Sequence, residues 1–196
     1  MHRLELEIMK PFTKIERISL GVIFLILIAV AVPNFIVSMM KSRDQIRRDD
    51  MGSINHALDA YLADFEHLPT SSPDGRIMAC IKPGDIPYKD KTGKLVFDFL
   101  PCDWGKDAFK NQFTGKVYLP VLPNDPDYQK GVKYLYLSDG NRFQLFAAEE
   151  NRKEVEIDPK IVARNLPCGI KFCNIGRAYN VPIDISIEEY NRQLGE

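Results

Sequence analysis

Apolar and polar positions divide the chain into two regimes. From Ile18 to Met40 the pattern has no polar face: 23 residues, ISLGVIFLILIAVAVPNFIVSMM, pass without a formal charge. A helix of that length covers roughly 34 Å, enough for a hydrocarbon core of roughly 30 Å. A helix that is apolar all round faces lipid or other apolar helices rather than water. Beyond Met40 polar residues return and a single stripe remains. Ile54, Leu58, Tyr61, Leu62 and Phe65 recur at i, i+4, i+7, i+8 and i+11, while Asn55, Asp59 and Glu66 fall off that line. This is the signature of one amphipathic helix face. Pro69 and the following Thr-Ser-Ser-Pro-Asp-Gly end it. The pattern predicts one long helix over 12–68, roughly 85 Å if unbroken, with a candidate membrane span at about 18–40.

The rest, 69–196, reads as a separate globular domain rich in Pro and Gly turns. Val132–Leu137 and Arg142–Ala148 flank Ser138-Asp139-Gly140-Asn141, a hairpin signal. Phe143, Leu145 and Ala147 alternate, so one face of the second strand is expected to pack inward. Leu95–Phe99 and Val117–Val121 are weaker strand candidates with prolines nearby. Ser186 followed by Glu189 fits a capping box for a short last helix. The predicted class is α+β: a long N-terminal helix packed against a small antiparallel sheet.

Composition narrows the function classes. Lys and Arg number 26 against 27 Asp and Glu, so no general basic excess exists to hold a nucleic-acid backbone, and no nucleic-acid partner is predicted. No glycine loop followed by Lys-Ser or Lys-Thr is present, and no repeat of 20–50 residues. Charges flanking the span do not orient it. Arg3, Lys10, Lys14 and Arg17 precede it, and Lys41, Arg43, Arg47 and Arg48 follow it. The cysteines give a second indication. Cys80, Cys102, Cys168 and Cys173 all follow the span, as expected of two disulfides in an extracytoplasmic domain. Local pairs, Cys80–Cys102 and Cys168–Cys173, close the smallest loops; three pairings are formally open, and four reduced buried thiols are the competing reading. Zinc lacks a C-x-x-C spacing.

The N-terminus carries a family resemblance. Pro11-Phe12-Thr13-Lys14-Ile15-Glu16 precedes the apolar run, and Pro33-Asn34 lies near its end. This resembles the class III leader of type IV pilins and the pseudopilins of type II secretion. The resemblance is specific over Phe12–Pro69 and topological beyond it. It implies a leader-like segment over 1–11, cleaved before Phe12 by a prepilin peptidase, with N-methylation of the new amine. It also implies pairing of that amine with Glu16 of a neighbouring subunit, and a melted or kinked segment at Pro33 with Gly21 as a second soft point. Pro11 departs from the family pattern, which has Gly or another small residue there. Pairing of Glu16 with Lys14 or Arg17 is the alternative fate of its carboxylate. The implied product is a single-pass membrane protein with an extracytoplasmic C-terminal domain. It would be held in lipid before assembly and then built into a helical homopolymer. The implied partners are other copies of itself, an inner-membrane platform protein and an assembly ATPase.

A competing class is a secreted soluble enzyme or binding domain, released by signal peptidase after Ala31 in Ala29-Val30-Ala31. Against it, apolar residues continue through Phe35-Ile36-Val37 and Met39-Met40. Catalytic signals are thin, so the expectation is a non-enzyme without a cofactor. His56 and His67, 11 apart, are placed opposite the apolar stripe, a solvated face. Asp125 and Asp127, with Asp139 beyond, offer oxygen ligands for Ca²⁺; Asx-turn chemistry beside Pro126 is the competing reading. Trp104, in Cys102-Asp-Trp-Gly, reads as a packing residue behind a disulfide.

Overall fold

The computed structural model describes residues 13–151 and 157–195. The chain forms two compact units, Met1–Met40 and Lys41–Glu196. Among the described residues, helix α1, Lys14–Phe65, begins in the first unit and is also the first element of the second. Its start is fixed by a reciprocal pair of hydrogen bonds. The Thr13 N–H donates to Glu16 Oε2 at 2.7 Å, and Thr13 Oγ1 accepts from the Glu16 N–H at 3.3 Å. That is a capping box, which satisfies two of the otherwise orphaned amides of the first turn. The helix continues through Gly21 and Pro33 without a melted segment. It stops at Phe65, three residues before the predicted end, because Glu66 adopts the left-handed region (φ 62°) and closes the last turn to the Leu62 carbonyl at 2.8 Å.

In the second unit, short antiparallel pairs frame one central sheet. β1 (Met78–Cys80) pairs with β4 (Leu100–Pro101), β2 (Tyr88–Lys89) with β3 (Leu95–Val96), and β5 (Phe109–Lys110) with β6 (Val117–Leu119). The central sheet has β7 (Leu135–Ser138), β8 (Phe143–Ala147) and β11 (Ile175–Tyr179) in the order β11-β8-β7. A tight hairpin of β9 (Pro167–Cys168) and β10 (Lys171–Phe172) precedes β11. Helices α2 (Pro159–Ala163) and α3 (Ile187–Leu194) complete the fold. As the capping box predicts, Ser186 Oγ accepts from the Glu189 N–H, at 3.1 Å.

The hairpin is present, but β7 begins at Leu135, three residues later than its sequence signal, with Val132 held instead in an isolated bridge to Gly169. The alternating face of β8 packs inward as expected, and its other face is buried too: all five of its residues are buried. Phe143, Leu145 and Ala147 join Met51, Ile54, Leu58 and Tyr61 of α1 in the main core. Phe146 faces the other way, into a second cluster with Ile161 of α2 and both Cys168 and Cys173. The sheet is therefore a middle layer, and its central strand is covered from both sides.

Both disulfides are local: Cys80–Cys102 ties β1 to the end of β4, and Cys168–Cys173 closes the β9–β10 hairpin. Aromatic rings fill the main core beside α1. Tyr61 lies 5.3 Å from Phe109 and 4.4 Å from Phe65, centroid to centroid, and burial pushes its phenol up to about 12. Tyr136 donates from its hydroxyl to the Pro69 carbonyl at 2.7 Å, which pins the chain just after the helix.

Candidate functional site: an exposed apolar helix and a buried charge clasp

The first unit presents a surface that water does not favour. Every residue from Thr13 to Met39 is exposed, including Ile18, Leu25 and Phe35, each 66% exposed. By length and composition α1 is able to cross a membrane. Contiguous exposed apolar area on this scale marks a surface meant for lipid or for another protein. At its head, Glu16 caps its own helix through Thr13 rather than pairing with Lys14 or Arg17. Pro11 and Phe12 lie outside the described residues.

In the second unit α1 changes character. Asp44, Arg47, Met51, Ile54, Leu58 and Tyr61 are buried at a 3-4-3-4-3 spacing, one continuous stripe, with Ala57 buried beside it. The first two members are charged. Arg47 is fully buried and spends all five of its N–H donors. Nε and Nη2 reach the two oxygens of Asp125 at 2.8 and 3.0 Å. Nη1 reaches Asp44 at 2.7 Å and Glu150 at 3.1 Å, and Nη2 also reaches Asp127 at 3.0 Å. Burial by itself would lower the guanidinium pKa, but the hydrogen bonds and charges of Asp125, Asp44 and Glu150 more than reverse this and raise it. Arg47 is therefore a permanent cation at the centre of an acidic shell.

Neighbouring groups extend the shell. Arg43 grips Glu150 bidentately, Nε at 2.7 Å and Nη2 at 2.6 Å. Arg48 Nη1 donates to Glu149 at 2.7 Å, and Lys130 pairs with Asp127 at 2.8 Å. Asp44 accepts from the backbone N–H groups of Glu150 and Asn151, both at 2.9 Å. Three separate stretches of chain, 43–48, 125–130 and 149–151, are thereby locked together.

This arrangement gives Asp125 and Asp127 a role that their sequence reading did not assign. Their oxygens receive Arg47, and the Asp127 N–H donates to Asp125 Oδ1 at 2.8 Å, the Asx turn of the competing reading. Asp139 is elsewhere, accepting from the N–H groups of Asn141 and Arg142 at 2.9 and 2.8 Å. Among the described residues no group of three or more His, Cys, Asp or Glu side chains is arranged to hold a metal ion. The placement of His67 on the helix is corrected: α1 has already ended, and its ring lies 6.1 Å from Tyr61 and 5.9 Å from Phe65. His56 is exposed on the helix.

In the sequence Arg43, Arg47 and Arg48 read only as charges flanking a span, which conceals the clasp. Extending the stripe backward from Ile54 through Met51 would have landed on Arg47 and Asp44. The chain matches no family model, no curated protein and no solved structure.

Proposed function

We propose that this chain is a structural subunit of a type IV pilus-like or type II secretion pseudopilus filament, assembled by side-by-side packing of its N-terminal helices. The observation that carries the reading is the helix surface of the first unit, apolar around its whole circumference and exposed from Thr13 to Met39. Such a surface is stable only in lipid or against other apolar helices, and a filament of identical rods supplies the second environment. The Phe12–Glu16–Pro33 spacing directs that general requirement toward the pilin class. Two disulfides downstream of the span support a head outside the cytoplasm, where such bonds persist. The clasp at Arg47 supports a structural role, since it spends buried charge on holding a helix to its head rather than on a solvent-accessible reactive group. The partners that go with this reading are further copies of the chain, a prepilin peptidase, a platform protein and an assembly ATPase; no catalysis belongs to it.

Electron microscopy of sheared surface fractions, with antibody against the head, tests the assembly. Fibres that carry this protein are the expected result. Mass spectrometry of the native N-terminus tests the processing: a start at Phe12 is expected, and a start at Met1 or Met9 refutes that cut. A freely soluble protein starting at Val32 would overturn the filament reading in favour of a secreted domain.

A further inference from the structure

The loop that gives Asp125 and Asp127 to Arg47 also forms part of the wall of a cavity of about 450 Å³. Asn124 and Tyr128 come from this loop, Asp74 and Arg76 from the turn before β1, and Asp103 through Lys106 from the turn after β4. The volume falls within the range of small-ligand sites, about 300–1,000 Å³. The walls are held from behind. Cys102, next to Asp103, is disulfide-bonded to Cys80, and the Gly105 N–H donates to the Leu122 carbonyl at 2.7 Å. Gly105 has φ +74°, and a Cβ there would lie 2.7 Å from the Asn124 side chain, so the two turns touch only because this residue is glycine. A cavity whose walls are fixed before binding loses little entropy when a ligand enters.

Its chemistry is mixed in a particular way. Arg76 bridges two carboxylates, Nε to Asp74 at 2.7 Å and Nη1 to Asp103 at 2.5 Å. Ser72 fixes Asp74 from behind at 2.6 Å. The result is a hydrogen-bonded array with donors and acceptors side by side, which suits vicinal hydroxyls because each hydroxyl both donates and accepts. Beside it stand Trp104 and Tyr128, the latter 47% exposed and able to cover an apolar ring face. Lys106 and Lys133 also line the cavity. With Arg76 they make three cations against the two carboxylates, a surplus of one positive charge. A multiply charged phosphate ligand would meet Asp74 and Asp103 in the wall, whereas a single carboxylate matches the surplus.

We propose that this cavity binds an acidic sugar unit of a polysaccharide. Its ring would lie against Tyr128, its hydroxyls on the Asp74–Arg76–Asp103 array and its carboxylate toward Lys106 and Lys133.

Trp104 is the sole tryptophan of the chain and lines this cavity, so under native conditions its fluorescence responds to a ligand entering there. The test uses the full chain in a zwitterionic detergent that has no sugar headgroup, titrated with a glucuronate oligosaccharide, a neutral glucose oligosaccharide of equal length, and inorganic phosphate. The expected result is a saturable change with the glucuronate, about tenfold tighter than with the neutral sugar, from one charge-assisted contact. Lys133→Ala, at an exposed position, should weaken glucuronate binding about fivefold. Tyr128→Ala should weaken both sugars about fivefold through lost ring contact. The proposal is overturned by no saturable change with glucuronate, by equal affinity for the neutral sugar or for phosphate, or by unchanged binding in both variants.

Discussion

Arg47 on α1 meets Asp125, 78 residues later in the chain, through two parallel hydrogen bonds at 2.8 and 3.0 Å with both side chains fully buried. A bidentate pair of this kind fixes angle as well as distance. Removing one partner leaves the other charge desolvated and unpaired, which costs far more than the pair contributes in net terms. Arg47→Met should therefore destabilise the head by about 3–5 kcal/mol. Arg47→Lys should also destabilise it, because an ammonium is a point charge and does not reproduce the fork. Urea unfolding followed through Trp104 fluorescence measures both. The double variant Arg47→Met with Asp125→Leu should lose less than the two single losses added together, since neither charge is then stranded.

The same shell makes the fold acid-sensitive. Burial would raise the Asp127 carboxyl, but its ties to Lys130, Glu150 and Arg47 outweigh this and hold it well below the usual range. Asp139 is likewise lowered, burial being outweighed by Asn191 and by the backbone N–H groups of Asn141 and Arg142. Asp50 runs the other way: burial raises it, and the Tyr134 hydroxyl, donating at 2.6 Å, only partly offsets this. A depressed carboxyl contributes stability that is full above its unfolded pKa, about 3.9, and lost as pH falls through the folded value. A raised one contributes stability below its unfolded pKa that is lost as pH rises through the folded value, so Asp50 partly compensates in acid. The melting temperature should fall between pH 5 and pH 2, and Asp127→Asn should flatten that decline while lowering stability at pH 7.

The long helix and the last capping box were legible because each is written in neighbouring residues: an uncharged run from Ile18 to Met40, and Ser186 with Glu189 three positions on. The favoured local cysteine pairs are the ones present, for the same reason of proximity. What stayed hidden depends on distant partners. The sequence around β11, with Gly176, Arg177 and Ala178, has little strand propensity, and the strand exists because β8 offers it a ladder. Gln144 looks like a solvent-facing residue between Phe143 and Leu145. Its amide instead donates to the carbonyls of Pro182 and Ile185 at 2.6 and 2.8 Å, under cover of the C-terminal segment. The clasp was hidden because a charged residue on a core stripe breaks the hydrophobic pattern that announces the stripe.

The two disulfides should differ in what they contribute. Cys80–Cys102 closes a separation of 22 residues and Cys168–Cys173 one of 5. On the chain-entropy account the longer loop stabilises by about 3 kcal/mol and the shorter by about 2 kcal/mol, both by restricting the unfolded chain. The Cys80→Ser, Cys102→Ser protein should therefore unfold at lower urea than the Cys168→Ser, Cys173→Ser protein. A reversed order would mean that the second pair, both of whose sulfur-bearing residues are fully buried with Phe146 and Ile161, acts chiefly through packing.

Two glycines should respond to the same substitution in opposite directions. Gly52 lies inside α1 with helical geometry, and a Cβ added there meets nothing within 4 Å. Gly52→Ala restricts the unfolded chain without a native clash and should stabilise the head by about 0.5–1 kcal/mol. Gly169 sits in the turn of the β9–β10 hairpin at φ +73°, where a Cβ would overlap the Gly131 carbonyl oxygen. That carbonyl also accepts from the Ile170 N–H at 3.0 Å, and Lys133 N–H donates to the Cys168 carbonyl at 3.1 Å, so the hairpin has no room to retreat without losing both bonds. Gly169→Ala should destabilise by more than Gly52→Ala stabilises, and hydrogen exchange should place the loosening at Lys133 and Ile170. Unchanged protection at these two amides would show that the hairpin is free to move away from the loop at Gly131.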